Sequence, residues 1–399
     1  MAEYSIGEYT QNMFDEIWSF PDYDYEQDYS EVFKKIDDPA FFKQFSERLL
    51  SFYNEILKSD SSADEAKTDL QHRVSKAGIS LISRNTISNW FSGKAPDYGD
   101  DDRKRMFAIA FALELSREKT ERLFHTVFLD KAFNKRNVNE FIYLHCICNK
   151  KPFAVAEHLI NELPNLVEHR NPTDQTKQTQ YLADAASRKM SEHDILEFIS
   201  THQYNFSLSN TAAKQHQQKL LDRSTIGIEG TPGLARQEYE RRRFELSDSE
   251  DTGGFSGKNN TSIDFLLYMI FNINFVQEKN TDIISIRKIF SRKEIYNQFP
   301  NKNTLSNSKS SSYILRKNII LLSFYNYWVN DFLERKKEGD IDGFTAGLND
   351  VLFECGFSPL YAGNPYDWLF LYCSACTTED FTPLDRFRGI IGQDQSIAN

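Results

Sequence analysis

Between residues 310 and 337 the chain reads SSSYILRKNIILLSFYNYWVNDFLERKK, and the middle of that stretch is apolar on every side of a helix. A helix greasy around its whole circumference has no face to give to water, so it belongs at the centre of a bundle with other helices covering it. That segment predicts an all-α architecture. Composition points the same way, because 32 Phe and 19 Tyr against only 17 Gly and 11 Pro leave little turn chemistry for a sandwich of short strands. At 399 residues the chain is longer than one hydrophobic core supports, which predicts two or three domains, and 40% apolar residues suffice to fill them.

Helix signals recur along the length. Asp38-Pro39 reads as an N-cap with Pro in the first turn, opening an amphipathic helix through Phe41, Phe42, Phe45, Leu49, Phe52 and Ile56. Ser62, with Glu65 three residues on, is a capping box for a helix that carries Leu70 and Val74 and stops at Gly78. DDRKRMFAIAFALELS reads as a buried helix whose acidic first turn suits its dipole. SREKTERLFHTVFLDKAF reads as another, with Leu123, Phe124, Val127 and Phe128 on one stripe. NVNEFIYLHCICNKKPFAVAEHLINEL supplies two more, divided near Pro152, and residues 173–222 continue as polar helices. DGFTAGLNDVLFECGF ends at a Gly in C-cap position, and Asn364-Pro365 opens YDWLFLYC with an N-cap and a first-turn Pro.

The formal net charge of −11 argues against a nucleic-acid partner only as a total. Residues 1–38 hold eleven Asp or Glu against two Lys, whereas residues 71–151 hold fifteen Lys or Arg against nine Asp or Glu, so the acidic sum conceals a basic middle. The division that follows is an acidic aromatic arm over 1–38, a helical domain over 39–165, a polar helical segment over 166–246, a flexible linker over 247–262 and a C-terminal helical bundle over 263–399. Phe14, Trp18 and Phe20 are expected to dock the arm on a neighbouring surface, since large aromatics are costly to leave in water; the alternative is a solvated tail. The run Arg241, Arg242 and Arg243 reads as a solvated face. IDFLLYMIFNINFV is too short and too interrupted to span a bilayer, no apolar leader opens the chain, and five cysteines make an odd count with no disulfide framework. The expectation is a cytoplasmic protein without a membrane partner.

The stretch SRNTISNWFSGKAP, residues 83–96, carries the functional signal. With Ser83 as N-cap, Ile87, Trp90 and Phe91 share one face of a short helix, because positions three and four apart are neighbours. Asn85, Ser88, Asn89 and Ser92 then share the opposite face with Arg84 at its flank, side chains suited to the hydrogen-bonding edges of bases. The preceding helix ends in Gly, and Gly78-Ile79-Ser80 leads across, giving a helix, a turn and a short polar-fronted helix.

Through Gly78, Ile79 and Ser80, then Thr86, Ile87 and Ser88, then Gly93 and Pro96, residues 62–130 resemble the helix-turn-helix domain of the phage-repressor-like (XRE-type) regulators, with Met106–Leu113 and Leu123–Phe128 matching its closing helices. The resemblance implies that the second helix enters the major groove of double-stranded DNA with Arg84, Asn85, Ser88 and Asn89 near bases. It further implies that Lys94 and the cluster Arg103, Lys104 and Arg105 meet phosphates. Two features depart from the family pattern. Leu81, Ile82 and Ser83 lengthen the turn, and Asp100, Asp101 and Asp102 stand beside the phosphate-contacting cluster.

Other constellations are thin. Cys146 and Cys148 point to different sides of a helix, which leaves His145 and Cys148 as an incomplete metal pair, and Cys373 with Cys376 has CxxC spacing inside what reads as core helix. GIEGTPG lacks the Lys of a phosphate-binding loop, and neither GxSxG nor HExxH occurs. No catalytic residue, cofactor or metal is therefore expected. Two readings follow. One is a DNA-binding transcriptional regulator whose C-terminal bundle serves oligomerisation, such as a homodimer, or partner or ligand binding. The other is a non-enzymatic scaffold, of a mobile-element or phage-related system, in which the helix-turn-helix shape serves protein interaction.

Overall fold

The computed structural model describes residues 30–163, 175–206, 210–228, 230–245, 261–271, 292, 295, 299–306, 311–334, 341–375 and 382–392. The fold is all-α: the described residues form eighteen α-helices, with one two-residue-per-strand hairpin between Gly227–Ile228 and Thr231–Pro232. Most of the acidic arm, with Phe14, Trp18 and Phe20, and nearly all of the 247–262 linker lie outside the described residues. No described helix is long and apolar enough to cross a membrane.

The chain divides into two compact units, Lys43–Ala212 with Glu354–Ser358, and Met1–Phe42 with Ala213–Phe353 and Pro359–Asn399. The first described helix, α1 (Ser30–Asp37), belongs to the second of these. Asp38 does not open a long helix. Its carboxylate accepts from Ala40 N at 2.8 Å and its carbonyl accepts from Phe41 N and Phe42 N, so the Asp-Pro pair makes a local turn. The next helix begins at Phe45 instead.

In the first unit, α2 (Phe45–Leu57) is closed by a capping box between Gln44 and Glu47. α3 (Ala63–Lys76) has the expected Ser62–Glu65 box. α4 (Arg84–Phe91), α5 (Asp100–Ala112), α6 (Arg117–Leu123), a π-turn over Phe124–Phe128, α7 (Val138–Cys148) and α8 (Phe153–Asn161) follow, and α9 (Gln175–Ala186) and α10 (Glu192–Thr201) complete the unit. The π-turn continues the stripe begun by Leu123 through Phe124, Val127 and Phe128, all buried. Phe107 stacks on Tyr143 at 4.9 Å and meets Phe124 at 4.5 Å, which joins α5, α7 and the π-turn in one aromatic core.

The second unit contains α11 (Thr211–Thr225), the hairpin, α12 (Leu234–Glu245), α13 (Ile263–Phe271), α14 (Lys302–Ser306), α15 (Ser312–Glu334), α16 (Ile341–Glu354), α17 (Pro365–Ser374) and α18 (Pro383–Gly392). α15 is the central helix that its sequence demands, buried from Leu315 to Leu322, and α12, α14 and α18 pack on it. Asn364 caps α17 by accepting from Tyr366 N at 2.9 Å, with Pro365 at the first position as expected.

Arg241 and Arg242 of α12 turn inward, contrary to a solvated reading, while the Arg243 side chain lies outside the described residues. Arg242 pairs with the fully buried Glu238 at 2.7 Å and with Asp385 at 2.9 Å, and Arg241 donates to Leu333 O at 2.7 Å above the Phe332 ring. Glu238 is also gripped by Arg388 and by the Tyr325 hydroxyl, and although burial acts to raise its pKa, Arg388 and Arg242 together hold it below the usual range. Arg242 and Glu238, four residues apart, form half of an internal ion cluster.

Candidate nucleic-acid interface

The turn between α3 and α4 opens with backbone hydrogen bonds. Ile79 N donates to Val74 O at 3.1 Å and Gly78 N to Ser75 O at 3.0 Å, the two bonds of a Schellman motif, with Gly78 at φ +68° where a side chain would be strained. Ile79 and Ile82 are buried, so the lengthened turn is pinned by its own apolar residues. Ser83 then caps α4, its hydroxyl oxygen accepting from Thr86 N at 3.0 Å.

α4 sits with its apolar back in the core. Ile87 and Trp90 are buried, and Trp90 meets Phe45 of α2 edge to face at 5.7 Å. Its C-terminus closes at Gly93, φ +90°, where Lys94 N donates to Asn89 O at 2.9 Å. Helix α3 is tied to α2 by Asp69, which accepts from the Tyr53 hydroxyl and from Arg73 Nε at 2.6 Å. Burial and the Asp69 carboxylate push the Tyr53 phenol up to about 12.

The front of α4 is open: Arg84, Asn85 and Asn89 are exposed, as are Ser92 and Lys94 beyond them, and neither Arg84 nor Lys94 forms an ion pair among the described residues. Ser88 is half-buried because Gln71, on α3, donates through Nε2 both to its hydroxyl at 3.1 Å and to Arg84 O at 3.1 Å. Gln71 thus locks the first turn of α4 against α3. It carries no sequence signature beyond being a polar residue one position past the buried Leu70. Residues 71–94 contain four Lys or Arg and no Asp or Glu, an acid-free island in a chain of net −11. Of these four, Lys76 is exposed at the end of α3.

The second cluster is spent inside the unit. Arg103 is buried, its guanidinium held by Glu140 at 2.6 Å, Asp130 at 2.9 Å and Ala132 O at 2.7 Å, over the Phe124 ring. Burial opposes its charge, but Glu140 and Asp130 more than compensate and raise its pKa. Lys104 pairs with Glu157 at 2.9 Å and Arg105 with Asp102 at 2.6 Å, so the acid run supplies internal partners. The eight residues named from sequence therefore separate into an open set of Arg84, Asn85, Asn89 and Lys94, a half-buried Ser88, and a set of three committed to folding α5 against its neighbours.

His145, Cys146 and Cys148 form no metal centre: no group of three or more metal-ligating side chains occurs among the described residues. Burial pushes the Cys146 thiol up to about 12, the behaviour of a packed thiol, and Cys376 lies outside the described residues. No family model matches the chain, and neither does any curated protein or solved structure.

Proposed function

We propose that the first unit binds double-stranded DNA as a helix-turn-helix module with α4 as its recognition helix, in a transcriptional regulator. The observation that supports this most directly is the acid-free front of α4, with Arg84, Asn85 and Asn89 exposed on a helix whose back is fixed by Ile87 and Trp90. In this reading Arg84 and Asn85 read base edges from the start of the helix, Asn89 reads one turn on, and Lys94 and Lys76 meet phosphates. Ser88 keeps a hydroxyl hydrogen to donate, since its oxygen already accepts from Gln71.

Selection of the full-length chain against a random duplex pool at about 50 mM salt, followed by polarisation on the recovered sequence, tests the proposal. A recovered consensus bound at least roughly a thousandfold more tightly than scrambled duplex supports it. Absence of duplex binding at that salt overturns it. One observation favours the second reading, an interaction scaffold: Arg103, Lys104 and Arg105 are neutralised internally, which leaves few cations for a phosphate backbone. On that reading the same pool yields no consensus.

A further inference from the structure

The second unit contains a cleft of about 230 Å³ between α11, α15 and α16. One wall is a polar stripe on the central helix: Ser323, Asn326, Tyr327, Asn330 and Asp331 fall at i, i+3, i+4, i+7 and i+8. The facing wall is α16, with Phe344, Leu348 and the gap at Gly347, where an added Cβ would meet nothing within 4 Å. Arg223 of α11 lines the cleft, is exposed, and forms no ion pair among the described residues.

Asn326 is only 4% exposed, and its Oδ1 has no hydrogen-bond donor. The orientation of its amide is determined by its neighbours. Ser224 Oγ already donates to Leu220 O at 2.7 Å, so it can only accept from Asn326 Nδ2, at 2.8 Å, and Leu322 O accepts from the same nitrogen at 2.7 Å. A flipped amide would set Oδ1 against that carbonyl. A buried acceptor without a donor is a standing cost that a bound group with an N–H removes.

We propose that this cleft binds a free amino acid with an apolar side chain. The ammonium group donates to Asn326 Oδ1, the ligand's carboxylate pairs with Arg223, and the side chain lies along Phe344 and Leu348 over Gly347. A cleft smaller than the roughly 300–1,000 Å³ of drug-sized sites suits an occupant of this size. The site lies wholly within the second unit, so its test is independent of DNA binding.

The experiment is thermal unfolding of the full-length chain with each of the twenty L-amino acids at about 1 mM, alongside the corresponding amines that lack the carboxylate. At least one apolar amino acid should raise Tm by a few degrees while its amine raises it less. Gly347→Leu starts from a helical position where an added Cβ meets no atom within 4 Å and projects its side chain into the cleft, so it should abolish the shift. Arg223→Gln changes an exposed side chain, keeps the test decisive if the first variant fails to fold, and should weaken binding roughly tenfold. The proposal is overturned if no amino acid shifts Tm, if amine and amino acid act alike, if the shift survives in a folded Gly347→Leu, or if it is undiminished in Arg223→Gln.

Discussion

Arg84 and Asn85 stand where a recognition helix reads bases, whereas Lys94 stands where its backbone closes the helix, and the two positions predict different defects. Arg84→Ala with Asn85→Ala should cost about 1–3 kcal/mol of discrimination between the consensus and its variants, while Lys94→Ala should weaken all sequences alike and reduce the slope of log K against log salt by about 1; polarisation across a salt series separates them. Arg103, named from the same basic run, behaves otherwise. Arg103→Met leaves the buried Glu140 and the half-buried Asp130 without this counter-charge and should cost about 3–5 kcal/mol in urea unfolding. His145 gives a pH signature. Its Nδ1 donates to Ala186 O at 3.1 Å, and burial, with Lys151 adding to it, depresses its pKa from 6.5 to about 4. The unfolded chain takes up the proton first, so this contribution to stability is whole above about pH 6.5 and is lost as pH falls toward 4. Urea midpoints measured over that window should fall less steeply in His145→Gln than in the unaltered chain.

At the scale of elements, end chemistry was readable and starting points were less so. The Ser62–Glu65 box, the Gly78 stop, the Ser83 cap and the Asn364-Pro365 start all follow from short local patterns, and each forms as read because its hydrogen bonds span only two to five residues. Asp38-Pro39 misleads because the same Asp that caps a helix also closes a turn, and the carboxylate serves Ala40 instead. Ser83→Ala should therefore cost about 1 kcal/mol of stability, and Gly78→Ala about as much through its positive φ, since no neighbouring atom blocks the added methyl. Both would loosen α4, and urea unfolding with far-UV dichroism would register it. Arg242 departs from the solvated reading for a different reason: whether an arginine is solvated depends on what lies opposite, and Asp385 and Arg388 lie far along the chain.

For the whole molecule, the number of available cations sets the salt dependence. If only Lys76 and Lys94 meet phosphates in each copy, log K should fall with log salt at a slope near −2, against nearly −5 were Arg103, Lys104 and Arg105 to join them. Titration of the consensus duplex over a range of salt decides between these values. The two compact units have separate cores, one built around Phe107, Phe124 and Tyr143 and the other around α15, so calorimetric unfolding should depart from a single two-state transition.

The amino-acid pattern by itself determined the helical class, the central position of residues 312–334, and the polar front of α4, because periodicity and capping act within a few residues of each position. Tertiary structure alone decided which cations are free. Arg84 and Arg103 are the same side chain in the same basic region, yet one faces solvent and the other is enclosed by Asp130, Ala132 and Glu140. It likewise decided that Gln71 fastens α4, and that the Asn326 amide lines a cleft with its oxygen unsatisfied. These outcomes depend on partners brought from other elements, and charge or polarity read one residue at a time carries no record of them.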